Sequence, residues 1–382
     1  SFPTRRSSDL AKGDLYAVFI QRLMDMLLPY GFEAMVTMHT WMFISSFEKF
    51  RRNILNRNIV NVAHHGSKAF ENDVGTIVQT VSFVIRNCRL SNYSALYERL
   101  TEFGNSNAKE DALKSRSCEF FQQKNEAFEM IPGGNLSYWL DKHLLNAFSN
   151  ESIETVALSD GQTKTGDNDK YLRRLWEVNP DKIGREKKWA FIAKGGSFRK
   201  WYGNIDTVID WSETARKHYR ADHVARIAPE YIWFKHGFVF NHIAESEKFA
   251  VREIDTNTLF ETAAPAIFIE DDRKLFYIMG YLNTWIAREV IIAFNPTFNT
   301  NVRDITTQPI IWATKEQIDE VNQHVTECIR ICKEEWDSFE TSADFLRHPL
   351  VTMQESHISN AEEKWKKILR YKRNLWIYAT YE

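Results

Sequence analysis

Cysteine is scarce: Cys88, Cys118, Cys328 and Cys332 are the only four in 382 residues, with no Cys-x-x-Cys pair. That excludes a disulfide-stapled secreted scaffold and a zinc ribbon, and it points to a reducing cytoplasm. Cys328 and Cys332 stand four apart and read as thiols in a helical core. Glycine (15) and proline (9) are few, which excludes collagen-like and low-complexity chains. An excess of one charge is also missing. With 49 basic and 51 acidic residues, a uniformly basic coat is ruled out, whereas a local basic patch is not. No apolar run approaches the ~18 residues that span a bilayer, the N-terminus lacks a signal-peptide core, and no membrane partner is expected. No metal site is expected either. His39 and His64-His65 lack carboxylates or thiols at ligand spacing and read as loop and surface histidines. Asp167-Asn168-Asp169 has the start of a calcium loop without its later Gly and Glu.

What the chain has in quantity is aromatic surface, 14% of residues including 12 Trp and 26 Phe. Its length allows two or three domains. Asp14–Leu28 carries Leu15, Phe19, Leu23, Met26 and Leu27 at helical spacing and stops at Pro29-Tyr30-Gly31. A strand over 33–38, a helix over 46–55 capped by Ser45 or Ser46, and strands over 59–63 and 77–85 follow. This alternation predicts the closing half of an α/β domain. Residues 90–150 read as helical and solvated, with Gly133-Gly134 as a hinge. From Glu151 to Ile311 short strands and turns are expected, with hairpins at 231–240 and at 267–276, the latter turning through Glu270-Asp271-Asp272. Long helices are predicted over 316–336 and 362–376.

Two stretches carry candidate chemistry. In the first, Asp14-Leu15-Tyr16 opens a helix, Leu28-Pro29-Tyr30-Gly31 closes it, and His64-His65-Gly66-Ser67-Lys68-Ala69-Phe70 leads toward a final strand. In the second, Thr165-Gly166-x-Asn168 precedes the segment WAFIAKGGSFRKWYGN at 189–204. There a basic run (Lys182, Arg185, Lys187, Lys188, Lys194, Arg199, Lys200) interleaves with Trp189, Phe191, Phe198, Trp201 and Tyr202. Arg and Lys neutralise phosphates, an Arg fork on a guanine discriminates by roughly 1–3 kcal/mol, and Asn pairs with adenine edges. Gly195 and Gly196 allow the backbone a close approach.

Taken in order, these motifs resemble the adenine-specific DNA methyltransferases of the type IIG-like family, above all the BREX-type PglX family. The segments at 232–254, 266–284, 294–310 and 334–350 agree with it. The resemblance implies methyl transfer from S-adenosylmethionine to the exocyclic N6 amine of an adenine extruded from the duplex, marking host DNA in a phage-defence system. Phe70 would stack on that base. Thr165, Gly166, Asn168, Lys194, Gly195, Gly196, Phe198, Arg199, Lys200, Trp201, Tyr202 and Asn204 would contact double-stranded DNA. Other BREX proteins are possible partners. The fold implied is α/β: the C-terminal half of a Rossmann-like methyltransferase domain (11–90), a helical connector (91–150), an α+β target-recognition domain (151–312) and a helical C-terminal region (313–382).

The family's Asn/Asp-Pro-Pro-Tyr loop and the glycine-rich donor turn are missing from the sequence. Residues 1–10 look like a translated sequencing adapter. The expectation is therefore a fragment lacking its N-terminal half, inactive alone, with Leu15, Phe19 and Val36 uncovered. A type IIG restriction-modification enzyme with an upstream nuclease shares these motifs. A non-enzymatic type I specificity subunit fits less well, since it carries two recognition domains. An RNA-binding module lacks any matching signature.

Overall fold

The computed structural model describes residues 13–71, 78–244, 248–295 and 299–381. They form two units that divide between Asn150 and Glu151, with residues 293–295 counted in the first. The chain is mixed α/β. The stretch expected to be adapter-derived lies outside the described residues.

In the first unit, α1 (Leu15–Met26) begins where the Asp14 carboxylate accepts from the Leu15 amide at 2.6 Å. It ends before Pro29, which a helix interior excludes. Strand β1 (Phe32–Met38), helix α2 (Glu48–Leu55) and strands β2 (Asn58–Gly66) and β3 (Thr80–Arg86) follow. The serine cap expected on α2 is not used. Ser45–Phe47 forms a 3-10 turn that runs straight into the helix, so Phe47 takes the capping position without a side-chain bond. Along β3, buried Val81, Phe83 and Ile85 alternate with half-buried Ser82 and Val84, the period-two pattern of a sheet with one dry face. On that face Trp41 meets Phe83 at 5.3 Å and Phe50 at 6.1 Å, both edge-on.

Residues 91–150 are not a solvated helical connector. They add β4 (Ser94–Arg99) and β5 (Glu119–Lys124), together with α3 (Ser106–Ser115), α4 (Asn125–Met130) and α5 (Lys142–Ala147). The sheet order is β1-β3-β2-β4-β5, antiparallel throughout except for the β2–β4 pair. Leu96 and Phe120 stand at outward positions and Gln123 at an inward one, so the alternation of these short strands is weak. Gly133-Gly134 is not a hinge either. Both glycines are buried, and Arg51, fully buried itself, donates to the carbonyls of Gly133 (3.0 Å), Trp41 (3.0 Å) and Ile44 (2.6 Å). Helix α1 buries Ala17, Val18, Ile20 and Met24. Its other apolar stripe stays open: Leu15 is 47% exposed and Phe19 half-buried, and Val36 of edge strand β1 is 61% exposed.

The second unit begins with α6 (Asn168–Tyr171), β6 (Leu172–Arg174), β7 (Trp189–Ala193), β8 (Thr207–Asp210) and α7 (Glu213–Ala221). Strands β9 (Gly237–Phe240), β10 (Val251–Ile254), β11 (Thr258–Phe260) and β12 (Ala266–Phe268) follow. Then come α8 (Asp272–Leu282), α9 (Trp285–Phe294), α10 (Val302–Thr306), α11 (Lys315–Trp336), α12 (Pro349–Thr352) and α13 (Ile358–Tyr381). One sheet has the order β11-β7-β8-β6, another β10-β9-β12. Neither expected hairpin forms. Residues 231–240 supply a single strand, β9, paired with β10 and β12. Glu270–Asp272 leads not into a return strand but into α8, where the Asp271 carboxylate accepts from the Arg273 amide at 2.9 Å. Aspartate suits both a turn and an N-cap, and the Leu275, Ile278, Met279 and Leu282 face of α8 decides the matter by packing on Val325, Cys328 and Ile329 of α11. Cys328 is buried there, while Cys332 is only half-buried.

Candidate functional site

In the first unit, β2 ends on Gly66 with φ 68°, and a Cβ there would press on Thr101 at 3.0–3.3 Å. The turn favours glycine. It delivers Phe70, 52% exposed, to a cavity of about 300 Å³ lined also by Val36, His65, Leu100 and Lys109. Here the histidines depart from the loop and surface reading. His39 and His64 are buried just past β1 and within β2, with His39 Nδ1 2.8 Å from His64 Nε2 and His64 Nδ1 2.9 Å from the Tyr138 hydroxyl. Burial pushes His39 down to about 4. It also lowers His64 well below the usual imidazole range, assisted by the positive charge of its neighbours. Both rings are neutral near pH 7, and they form a fixed wall between strands. Among the described residues no three metal-ligating side chains come together.

In the second unit the basic run splits in two. Its downstream half turns inward. Lys194 pairs with buried Glu261 at 2.6 Å. Arg199 meets Glu335 at 2.7 Å and lies 4.8 Å from the Trp336 ring centre. Lys200 donates to the Asn283 carbonyl at 2.8 Å, and burial lowers its pKa. Trp201 is 3% exposed, within the core that includes α8 and α11. Tyr202 is half-buried, with the Lys333 ammonium 5.4 Å from its ring, and burial pushes its hydroxyl up to about 12. Asn204 is buried and donates to the Ser197 carbonyl at 2.9 Å. Gly203 closes the clip, since a Cβ there would meet Arg199 Cδ at 2.8 Å.

The Thr165 loop is likewise self-engaged. Thr165 is buried and its hydroxyl donates to Asn168 Oδ1 at 2.7 Å, while Gly166 rests against Asp222 and Ala225. Gly195 rests on the Ala263 carbonyl, and the Gly196 carbonyl accepts from Asn241 at 2.9 Å. Thr165, Trp201 and Asn204 were expected to touch DNA. Their side chains are instead buried in their own unit, because their hydrogen-bond and packing partners are nearer than any solvent face. Gly196, Ser197 and Phe198 remain exposed at the tip.

The upstream half of the run faces solvent. Lys182, Arg185, Lys187 and Lys188 are exposed. The Arg185 guanidinium lies 5.2 Å from the Phe234 ring and the Lys188 ammonium 5.2 Å from the Trp189 ring. Trp176, missed in the sequence reading, is 57% exposed with Arg174 5.9 Å from its ring. The adjacent Arg173-Arg174 was the available signal. A basic surface beside the exposed Trp176 ring suits a polyanion with stacked rings.

The family model for Eco57I restriction-modification methylases matches residues 4–70. The adenine-specific methyltransferase PglX of Lacticaseibacillus casei (strain Zhang) is 30% identical over 383 residues, covering 94% of this chain and 32% of the relative. The adenine-specific methyltransferase BrxX of Escherichia coli O9:H4 (strain HS) is 29% identical over 348 residues, covering 89% and 28%. Among solved structures, the type IIL restriction-modification enzyme MmeI in complex with DNA aligns at a TM-score of 0.56 with 11% identity, covering 95% of this chain and 50% of that one. A nuclease-deletion mutant of the type ISP enzyme LlaGI with a DNA substrate mimic aligns at 0.50, also with 11% identity, covering 85% and 37%. These two show a shared fold. The chain spans about a third of the length of the relatives it matches, and along that third it is similar to the adenine-specific methyltransferases PglX and BrxX.

Proposed function

We propose that this chain serves site-specific methylation of adenine at N6 in duplex DNA, the first unit bordering the pocket for the extruded base and the second reading the duplex. The β1-β3-β2 arrangement with α1 and α2 is read as the closing half of a Rossmann-like methyltransferase domain, and residues 151–312 as the core of a target-recognition domain followed by a helical region. The observation that carries the reading is Phe70, an aromatic held half-exposed at a cavity by the Gly66 turn. Extruding a base costs a few kcal/mol of stacking, and an aromatic face returns roughly 1–3 kcal/mol. In the second unit, Lys182, Arg185, Lys187 and Lys188 would neutralise phosphates. The clip from Lys194 to Asn204 would hold Phe198 and the exposed glycine tip toward the groove. The whole protein would mark host DNA within a phage-defence system in the cytoplasm.

S-Adenosylmethionine is the methyl donor of such enzymes. The adjacent glycines Gly195 and Gly196 lie against Ala263 and Asn204, which supports reading them as part of the recognition unit and not as a turn for the donor. The chain alone is expected to bind DNA without turnover. The test is duplex binding across a salt series. Lys182→Ala and Lys187→Ala should each flatten the log–log salt slope by about one unit. Arg199→Ala, already paired with Glu335, should leave the slope unchanged. Salt-independent binding, or turnover of labelled donor by the chain alone, overturns the corresponding half of the proposal.

A further inference from the structure

A larger cavity, about 620 Å³, lies within the second unit between the clip and helices α11 and α13. Ile331, Cys332 and Glu335 of α11 stand at helical spacing on one face, as do Lys366, Leu369 and Arg370 of α13, and residues 197–200 complete the lining. Burial, with Cys328 and Glu335 adding to it, pushes the Cys332 thiol up to about 12. The thiol is therefore neutral and joins Ile331 and Leu369 as apolar wall. Phe198, 42% exposed, adds an aromatic side chain. Charge is one-sided: Arg199, Lys200, Lys366 and Arg370 line the cavity against the single carboxylate of Glu335, which Arg199 holds at 2.7 Å. Lys200 is turned to the Asn283 carbonyl, so the cations left for a ligand are Lys366 and Arg370. They stand one turn apart on α13, which sets their Cβ atoms about 5–6 Å apart, a span that one phosphate group bridges. Lys366 pairs with Glu362 at 2.5 Å across exposed surface, a contact worth about 0–1 kcal/mol. Among the described residues no acidic side chain pairs with Arg370. A mostly apolar wall with a few polar groups, at this volume, is the form of a small-molecule site.

We propose that this cavity binds a nucleoside monophosphate, its base stacked on Phe198 and set against Ile331 and Leu369, its phosphate held by Lys366 and Arg370. A phosphate monoester carries roughly 1.5–2 negative charges near pH 7, which matches the two cations, and a base stacked on an aromatic ring gains roughly 1–3 kcal/mol. A free mononucleotide and the 5′-phosphorylated end of a DNA strand offer the same chemistry. An aliphatic anion offers the charge without the stacking face. The site shares no residue with the cavity at Phe70 or with the outward basic patch, so it stands or falls separately from the methylation role.

The test labels isoleucine and leucine methyl groups in the full chain and follows Ile331 and Leu369 by NMR as adenosine 5′-monophosphate, adenosine or octanoate is added. The monophosphate should shift both signals and bind more tightly than adenosine, which lacks the phosphate, or octanoate, which lacks the ring. Phe198→Ala should weaken monophosphate and adenosine binding alike, by about 5-fold or more. Arg370→Ala should weaken the monophosphate about 3- to 5-fold and leave adenosine unaltered, while Arg370→Lys retains most of the binding. The remaining methyl signals of each variant report folding in the same spectra. A 5′-phosphorylated strand of six deoxyadenosines that shifts the two signals more strongly than the monophosphate identifies a strand end as the ligand. Binding of the monophosphate with no response to that strand identifies a free nucleotide. No shift of Ile331 or Leu369 by either probe overturns the inference. Equal affinity for the monophosphate and for adenosine or octanoate also overturns it, as does monophosphate binding unchanged in both Phe198→Ala and Arg370→Ala.

Discussion

Glu33 on β1 is 4% exposed, and neither carboxylate oxygen has a hydrogen-bond partner. Burial pushes its pKa from 4.5 up to about 7, Arg57 opposing the rise and Asp25 adding to it. Because the folded value lies above the unfolded one, the native state binds the extra proton. Stability from this group is therefore present below about pH 4.5 and is lost as pH rises to about 7. At about 1.4 kcal/mol per pH unit, the ceiling is about 3 kcal/mol. β1 is an edge strand, where water can relax around the charge, so about 1–2 kcal/mol is the expected yield. Glu33→Gln removes the titration with little change of shape. His39 and His64 act in the opposite sense, since their depressed pKa values cost stability as pH falls below about 6.5. The informative quantity is thus the difference between variant and parent. Urea unfolding of both chains at pH 5 and pH 8, followed at β1 and β3 amides, should show the variant gaining about 1–2 kcal/mol on the parent at the higher pH. Curves that stay parallel within about 0.3 kcal/mol would refute the claim that this carboxyl is held protonated by burial.

Two further outcomes follow from the packing. Arg51→Ala strips donors from three carbonyls and empties a buried site, so the first unit should lose about 3–5 kcal/mol, measured by the same unfolding series. Asp271→Ala should cost about 1 kcal/mol through the lost cap of α8, and Asp271→Asn should retain most of it. Unchanged stability in Asp271→Ala would mean the cap contributes nothing.

The alternation of Val81, Phe83 and Ile85 and the Asp14 start of α1 were legible in the sequence because they are local: period, cap and stop occupy neighbouring residues. The open stripe at Leu15 and Val36 was legible too, as apolar residues left over from the expected fold. The resemblance to the adenine-specific methyltransferases was readable because its motifs lie in order along the chain. Pairing at a distance was not. Nothing near Arg199 in sequence announces Glu335, nothing near Lys194 announces Glu261, and nothing near Arg51 announces Gly133. A basic run therefore looked like one surface, while long-range partners divided it into an inward clip and an outward patch. Charge and aromatic content were set by the chain itself. Which of those side chains water can reach depended on the tertiary structure, because burial is a property of neighbours brought together by folding.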